Sequence, residues 1–183
     1  ESRVTGLTFE QSVVKRACDI AVSGIGLIIA SPVMLLEALA IKLEDGGPVF
    51  FKQPRVTKDG KAFNVLKFRT MIVDADKNKK RLASEGDDRI TKVGKVLRKL
   101  RIDELPQFLN ILKGEMSIVG PRPEQVEITE KYVEILPEFK YRLKVKAGLT
   151  GLAQILGKYN TTPKDKLILD LMYIEQYSIW VDL

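Results

Sequence analysis

Ile20 to Ile41 is a nearly continuous apolar run with a proline inside it, and it limits the possible folds more than any other stretch. Only Ser23, the pair Ser31-Pro32 and Glu37 interrupt it. Its length is close to that of a helix crossing a bilayer. Pro32 removes a backbone donor and crowds the preceding turn, which kinks or breaks a helix. Ser31 can offer its hydroxyl to the freed carbonyls, making such a break tolerable at membrane depth. Glu37 and Lys42 make the second half less apolar, as in a helix lying partly in the interface. Lys15 and Arg16 precede the run, and Lys42 and Lys52 follow it. Positive charge at both ends places both on the cytoplasmic side. As a helix, Ile20 to Ala30 rises only about 16 Å, half of a ~30 Å hydrocarbon core. These features predict a re-entrant helix-break-helix in one leaflet, with Ser31 and Pro32 at the break. A kinked spanning helix and a buried pair of core helices are the alternatives. No small-residue cleavage site follows, so a signal peptide is not indicated.

The remaining sequence can bury a core of its own, with 45% hydrophobic and 30% charged residues over 183 positions. The net charge of +6 predicts an anionic partner such as a phosphate, a nucleotide or an acidic membrane face. Nucleic acid is not expected. The positive charge is scattered, and aromatics do not interleave with it as a stacking platform requires. There is no histidine and a single cysteine, Cys18. Imidazole chemistry and an internal disulfide are therefore closed to this chain, and any nucleophile or base is most naturally a carboxylate. Cys18, at the edge of the apolar run, reads as a small buried hydrophobe.

The local patterns give a coarse map. Asp45-Gly-Gly-Pro48 is a turn. Val49–Phe51 and Phe63–Phe68 have strand composition, and the turn signal Lys58-Asp-Gly-Lys61 between them predicts a hairpin. Asp74–Glu85 reads as a charged surface helix. Thr91–Leu100 is a basic helix. A further helix follows Pro106, with Asp103 or Glu104 as its cap, Leu105, Phe108, Leu109 and Leu112 on its apolar stripe, and Gly114 at its end. Glu124–Leu136 is amphipathic and stops at Pro137. Gly148-Leu-Thr-Gly151 reads as a turn. Thr162-Pro163 opens a last helix carrying Asp165, Asp170 and Tyr173. The expected fold is α+β and mostly helical. The membrane helix hairpin occupies 1–44, and a small cytoplasmic catalytic domain with a short β-hairpin occupies 45–183. Spare apolar helix face makes a homodimer an expectation too.

The chemistry concentrates in Arg98-Lys-Leu-Arg-Ile-Asp-Glu-Leu-Pro-Gln107 and Gly120-Pro-Arg-Pro123. Adjacent carboxylates can hold a metal, act as nucleophile and assistant, or simply cap a helix. Here Arg98 and Arg101 stand close by in sequence, and Arg122 is confined between prolines. Lys67 and Arg69 on a predicted strand can join the same cluster. Arginine forks match diphosphate oxygens, and Mg²⁺ accompanies phosphates on carboxylate and water ligands. An acid pair ringed by such cations suits phosphoryl transfer. Neither a P-loop nor a GxGxxG element is present.

These segments, taken in order, resemble the monotopic polyprenyl-phosphate phosphoglycosyl transferases, the bacterial sugar transferase family. The likeness rests on Lys15-Arg16 with Asp19, Ser31-Pro32, Gly47-Pro48, Gln53 with Arg55, and Lys67-Phe-Arg-Thr-Met71. It continues through Asp88-Arg89 with Thr91, Arg98, Asp103-Glu-Leu-Pro-Gln107, Asn110, Lys113-Gly114, Met116 and Val119-Gly-Pro-Arg-Pro123. It ends in Gly148-Leu-Thr-Gly151, Gln154, and Asp170 with Tyr173. The resemblance implies transfer of a phospho-sugar from a UDP-sugar to polyprenyl (undecaprenyl) phosphate with release of UMP, starting glycoconjugate or exopolysaccharide synthesis. It implies Asp103 as the nucleophile of a covalent phospho-sugar intermediate, with Glu104 as partner in Mg²⁺ placement or proton handling. It implies Lys67, Arg69, Arg98, Arg122 and Asp170 at the phosphate and nucleotide-sugar site, with Pro121 shaping the loop. It also implies residence in the bacterial inner membrane, with the catalytic domain on the cytoplasmic face. Ala147 stands where the family usually has a proline. A start at Glu1 rather than Met fits the catalytic part of a larger exopolysaccharide-initiating member.

Overall fold

The computed structural model describes residues 6–73, 75, 87–157 and 162–182. The charged helix expected over 74–85 lies, apart from Ala75, outside these residues.

Helix α1 runs from Phe9 to Asp45 and is capped at both ends. Thr8 and Gln11 form a reciprocal capping box at its start, and Gly46 adopts the left-handed conformation at its end, with φ of 70°. Most of the residues that this helix buries are polar. Lys15, Asp19 and Ser23, spaced four apart on one face, are buried. Lys15 Nζ donates to Asp182 Oδ2 at 2.5 Å. Asp19 Oδ1 accepts from Ser117 Oγ and from the Ile118 amide, both at 2.9 Å. Arg16 donates to the Ile111 and Leu112 carbonyls at 2.5 and 2.6 Å, in the last turn of another helix. Further along, Ile41 packs against Phe68, Leu97 and Ile102. Glu37 is buried on the same side, and both its carboxylate oxygens lack a hydrogen-bond partner among the described residues. Between these anchors the apolar side chains face outward; Ile28 is 75% exposed and Leu35 71%.

Two expectations for α1 need correction. The helix is not broken at Ser31-Pro32; it continues through both residues. Pro32 has no N–H to give to the carbonyl four residues back, which is that of Ile28. The Ser31 hydroxyl donates to that same carbonyl at 2.8 Å, so the acceptor stays satisfied and helix continuity survives. Cys18 is exposed rather than buried, because the packed face is the one carrying Lys15, Asp19 and Ser23.

Strands β1, Phe50–Val56, and β2, Ala62–Phe68, form the expected antiparallel hairpin, longer than composition alone suggested. Phe50 pairs with Phe68 and Val56 with Ala62. The turn between them carries Asp59 and Gly60 at positive φ, 59° and 73°. Helix α2 spans Lys92–Leu100, and α3 spans Gln107–Lys113, ended by Gly114. Strand β3, Ser117–Val119, is followed by α4, Val126–Ile135, and a 3₁₀ stretch, Pro137–Lys144. Strand β4, Gly148–Thr150, pairs in parallel with β3. Helices α5, Leu152–Leu156, α6, Pro163–Glu175, and α7, Ile179–Asp182, complete the described chain. The described residues are thus mostly helical, with two small sheets among them.

The Gly148–Gly151 segment was expected to be a turn and is instead half of the β3–β4 pair. A Cβ on Gly148 would lie 2.2 Å from the Gly120 amide nitrogen, so only glycine allows the two segments to meet. This approach joins the Gly120-Pro-Arg-Pro123 motif to the Gly148-Leu-Thr-Gly151 motif. Ala147, the departure from the family's proline, has a use here. Its amide donates to Thr57 Oγ1 at 3.1 Å, a bond proline cannot make. The main core lies beneath, formed by Phe63, Val65, Ile111, Met116 and Ala147.

Candidate active site

Helix α2 sets the position of the acid pair. Thr91 caps it, accepting from the Gly94 amide at 2.9 Å. A Cβ at Gly94 would come within 2.1 Å of the Thr70 carbonyl oxygen, so the helix lies directly against the strand exit. From the last turn, Arg98 Nε donates to Thr70 Oγ1 at 2.8 Å. Arg101 then ends the helix in the left-handed region, with φ of 56°. That conformation costs a non-glycine residue about 1–2 kcal/mol. It turns the chain so that Ile102 packs on Phe68 and Leu97 while Asp103 and Glu104 emerge in a single 3₁₀ turn.

Neither acid caps α3. The N-cap of α3 is Pro106, which has no side-chain bond to offer. Glu104 is committed elsewhere: its Oε1 accepts from Lys67 Nζ at 2.7 Å and from Arg122 Nη2 at 2.8 Å. Burial alone would raise its carboxyl, but Arg122 and Lys67 outweigh that and hold it down at about 2. Asp103 behaves in the opposite way. Burial pushes its carboxyl above the ordinary 3.8, the Glu104 charge adds to this, and Lys67 and Arg98 only partly offset it. Two neighbouring carboxyls are driven apart by their surroundings, which separates their chemical roles. Glu104 stays ionised and clamps two cations. Asp103 is the more basic carboxylate.

The Arg122 loop is held by its backbone. The carbonyl of Pro121 accepts from the Gly148 amide at 2.9 Å. The Arg122 carbonyl accepts from Arg142 Nη2 at 2.8 Å, and that of Pro123 from Arg55 Nη1 at 2.9 Å. Arg142 and Asp170, 2% and 1% exposed, form a buried ion pair at 2.8 Å. Asp170 therefore supports the loop from behind, through Arg142, rather than standing on the site's surface as expected. Arg69 also lies apart from the cluster. Strand β2 ends at Phe68, and Arg69 turns back to Asp45, bonding its Oδ2 at 2.6 Å and the Pro48 carbonyl at 2.6 Å. The structure thus brings Lys67, Asp103, Glu104 and Arg122 together, with Arg98 acting on Asp103 from α2. Arg142 and Thr70 were not singled out from the sequence as site residues. Their partners, Asp170 and Arg98, are distant along the chain, and no local pattern signals such pairs.

No group of three potential metal ligands occurs among the described residues. The donor set of two adjacent carboxylates nevertheless fits Mg²⁺, which commonly takes one or two carboxylates and fills its shell with water and substrate phosphates. Beside Glu104 opens a cleft of about 290 Å³, whose walls include Phe108, Leu149, Thr150 and Gln154, with Arg101 on its rim.

Known proteins resemble this chain over most of its length. The family model described as bacterial sugar transferase matches residues 10–183. A UDP-N-acetylgalactosamine-undecaprenyl-phosphate N-acetylgalactosaminephosphotransferase from Aeromonas hydrophila is 44% identical over 172 residues, covering 92% of this chain and 41% of that protein. A UDP-glucose:undecaprenyl-phosphate glucose-1-phosphate transferase from Klebsiella pneumoniae is 47% identical over 176 residues, covering 93% of this chain and 38% of that protein. The exopolysaccharide production protein PSS of Rhizobium leguminosarum bv. phaseoli is 41% identical over 180 residues, which is 93% of this chain and 90% of that protein. The chain thus spans about two fifths of the first two relatives and nearly all of the third.

Proposed function

This chain belongs to the bacterial sugar transferase family, and on that premise we propose that it moves a phospho-sugar from a UDP-sugar to polyprenyl phosphate. In the first step a carboxylate oxygen of Asp103 attacks the sugar-bearing phosphorus. The bond from that phosphorus to the bridging oxygen breaks, and UMP leaves with that oxygen. In the second step an oxygen of polyprenyl phosphate attacks the same phosphorus, and Asp103 leaves as a carboxylate. Splitting the transfer this way lets a soluble donor and a lipid acceptor visit in turn.

The observation that carries this reading is the contrast between the two acids. Asp103 is half-buried, raised, and receives no hydrogen bond from any other described side chain, which leaves its lone pairs available. Glu104 holds Lys67 and Arg122 where diphosphate oxygens need them. The three carbonyl bonds behind residues 121–123 keep Arg122 placed without a substrate, so little ordering remains for the binding step. Asp103 and Glu104 would hold Mg²⁺, and the ion would supply charge neutralisation to the diphosphate.

The anchor of α1 supports a site at the membrane surface. Both ends of its apolar stretch are tied to the same body, through Asp19 to Ser117 and through Ile41 to Phe68 and Leu97. The exposed apolar middle can then enter one leaflet and return if α1 bends at Pro32. Ser31 already covers the carbonyl that such a bend releases. Both ends, with their basic residues, stay on the cytoplasmic face of the inner membrane.

The test is intact-protein mass after incubation with Mg²⁺ and a panel of UDP-sugars, without lipid acceptor, alongside Asp103→Asn. We expect a gain of one phospho-sugar, matched by UMP release and absent from the variant. Turnover with polyprenyl phosphate but no adduct would instead mean direct attack by the lipid and would remove Asp103 as nucleophile.

A further inference from the structure

Away from the acids, two cations converge, and neither has an ion-pair partner among the described residues. Gly114, at the end of α3, has φ of 86°. The point where its Cβ would stand lies 3.4 Å from Arg16 Nη2 and 3.5 Å from Lys146 Nζ. Arg16 comes from the start of α1, and Lys146 from the segment that leads into β4. The Ile111 and Leu112 carbonyls take two donors of the Arg16 fork, which leaves others for a ligand. The Lys146 ammonium is half-buried and has no hydrogen-bond acceptor among the described residues. Burial pushes it below its ordinary range, and the charges of Arg16 and Lys58 add to this. Asp19 opposes them, but its Oδ1 is already engaged by Ser117 and the Ile118 amide. Like charges held this close repel, and an anion accepting from both removes that cost.

The position of this cluster says which anion. Ile20, one turn along α1 from Arg16, is exposed and begins the outward apolar face. Gly24, a further turn on, has open space where a side chain would stand. The cluster therefore lies one helical turn from the surface that meets lipid, at the depth of headgroup phosphates. It is also far from the acids. From Arg16 to Glu37, whose charge meets that of Asp103, α1 covers about 30 Å. The phosphates of donor and acceptor have to reach Asp103, so neither fills this place during transfer. We propose that Arg16, Lys146 and Lys58 hold the phosphate of an anionic phospholipid and so fix the start of α1 at headgroup depth. The inference rests on the membrane seat of α1 given above and not on the chemistry at Asp103.

The test uses the detergent-solubilised chain and short-chain lipids. The melting temperature is followed against dioctanoyl phosphatidylglycerol, dioctanoyl phosphatidylcholine and inorganic phosphate, for wild type, Lys146→Gln and Lys146→Arg. In wild type, phosphatidylglycerol should raise the melting temperature to a plateau, as a ligand of the folded state does. Phosphatidylcholine and phosphate at the same concentrations should shift it far less. In Lys146→Gln the half-saturating concentration of phosphatidylglycerol should rise about fivefold, the scale of one basic residue at an anionic membrane surface. Lys146→Arg should keep the wild-type value. Without lipid, Lys146→Gln should melt no lower than wild type, because it loses a repelled cation; that separates loss of the site from loss of folding. The shift produced by UDP should be the same in all three proteins. Equal responses to the two lipids overturn the inference, as does wild-type lipid affinity in Lys146→Gln. A phosphate response equal to that of phosphatidylglycerol means a site for free anions and overturns the lipid occupant. A UDP shift that shrinks in Lys146→Gln places Lys146 at the catalytic site and overturns the inference too. None of these outcomes touches the transferase reading, which the adduct experiment above decides separately.

Discussion

Helix α1 and the core under the hairpin follow opposite rules. In the core, Ile111, Met116 and Val65 are buried and close-packed, as water demands. In α1, Lys15, Asp19 and Ser23 are buried, while Ile25, Ile28, Ile29, Leu35, Leu36 and Leu39 face outward. A contiguous exposed apolar face of this kind marks a lipid or protein contact rather than a water-facing surface. The comparison teaches that the first part of α1 is held to the domain by polar bonds through Arg16 and Asp19, while its last part is held by Ile41 in an apolar cluster with Phe68 and Leu97. Asp103 and Glu104 sit close to where the two regimes meet. Glu37, on α1, is near enough for its charge and that of Asp103 to repel each other.

The largest effect should come from Asp103→Asn. We expect transfer to fall by roughly three orders of magnitude or more, with an unchanged melting temperature, measured as radiolabelled sugar reaching the lipid. A variant that keeps transfer would move the nucleophile elsewhere. Next is Arg142→Met. Removing one member of a buried ion pair costs about 3–5 kcal/mol, so we expect a marked loss in thermal stability and poorer donor affinity as the Arg122 loop loosens. A smaller cost, about 1–3 kcal/mol, is expected for Asp19→Ala, which leaves the Ser117 hydroxyl and Ile118 amide without their acceptor. That variant should also lose α1's anchorage, read as faster proteolysis after residue 45 in detergent. Glu37→Leu should have the opposite sign. It replaces an unpartnered buried carboxylate with a side chain suited to the Ile41–Phe68 cluster and should raise the melting temperature; a drop would show that Glu37 has a partner in solution.

The smallest effect concerns pH. The Glu104 carboxyl lies at about 2 in the folded protein against an ordinary 4.5. Between those values the unfolded chain binds more protons, so stability increases with pH through this window. The contribution is complete above the ordinary value and is lost as pH falls towards about 2. Asp103 has the opposite sign, because its raised carboxyl makes ionisation unfavourable to the fold. In Glu104→Gln the acid limb of an unfolding-against-pH curve should flatten. An unchanged limb would mean that the pairs with Lys67 and Arg122 are too solvent-screened to contribute.

Much of the site could be read from the chain because its parts are local. Asp103 and Glu104 are adjacent, Arg98 is on the preceding helix, and Arg122 stands between prolines that mark a constrained loop. Lys67 followed from strand composition. Arg69 did not join them because Asp45 and the Pro48 carbonyl, more than twenty positions earlier in the chain, take up its guanidinium. Asp170 was singled out, but its pairing with Arg142, 28 positions away, could not be read from the chain. The Gly148–Gly151 segment has turn composition, yet the same glycines serve close strand pairing; only the approach of Gly120 decides between these uses.

By itself the sequence determined the apolar run and its proline, the hairpin, the start of α6 at Thr162-Pro163, and the order of motifs that marks the family. These follow from interactions between near neighbours, or from patterns that a short window contains. Tertiary structure alone decided that α1 stays helical through Pro32 and turns its polar face inward. It alone decided that Glu104 clamps Lys67 and Arg122 while no other described side chain donates to Asp103. The physical reason is the same in each case. Burial and charge pairing depend on groups far apart in the chain, and a carboxylate's basicity is set by what surrounds it rather than by what adjoins it in sequence.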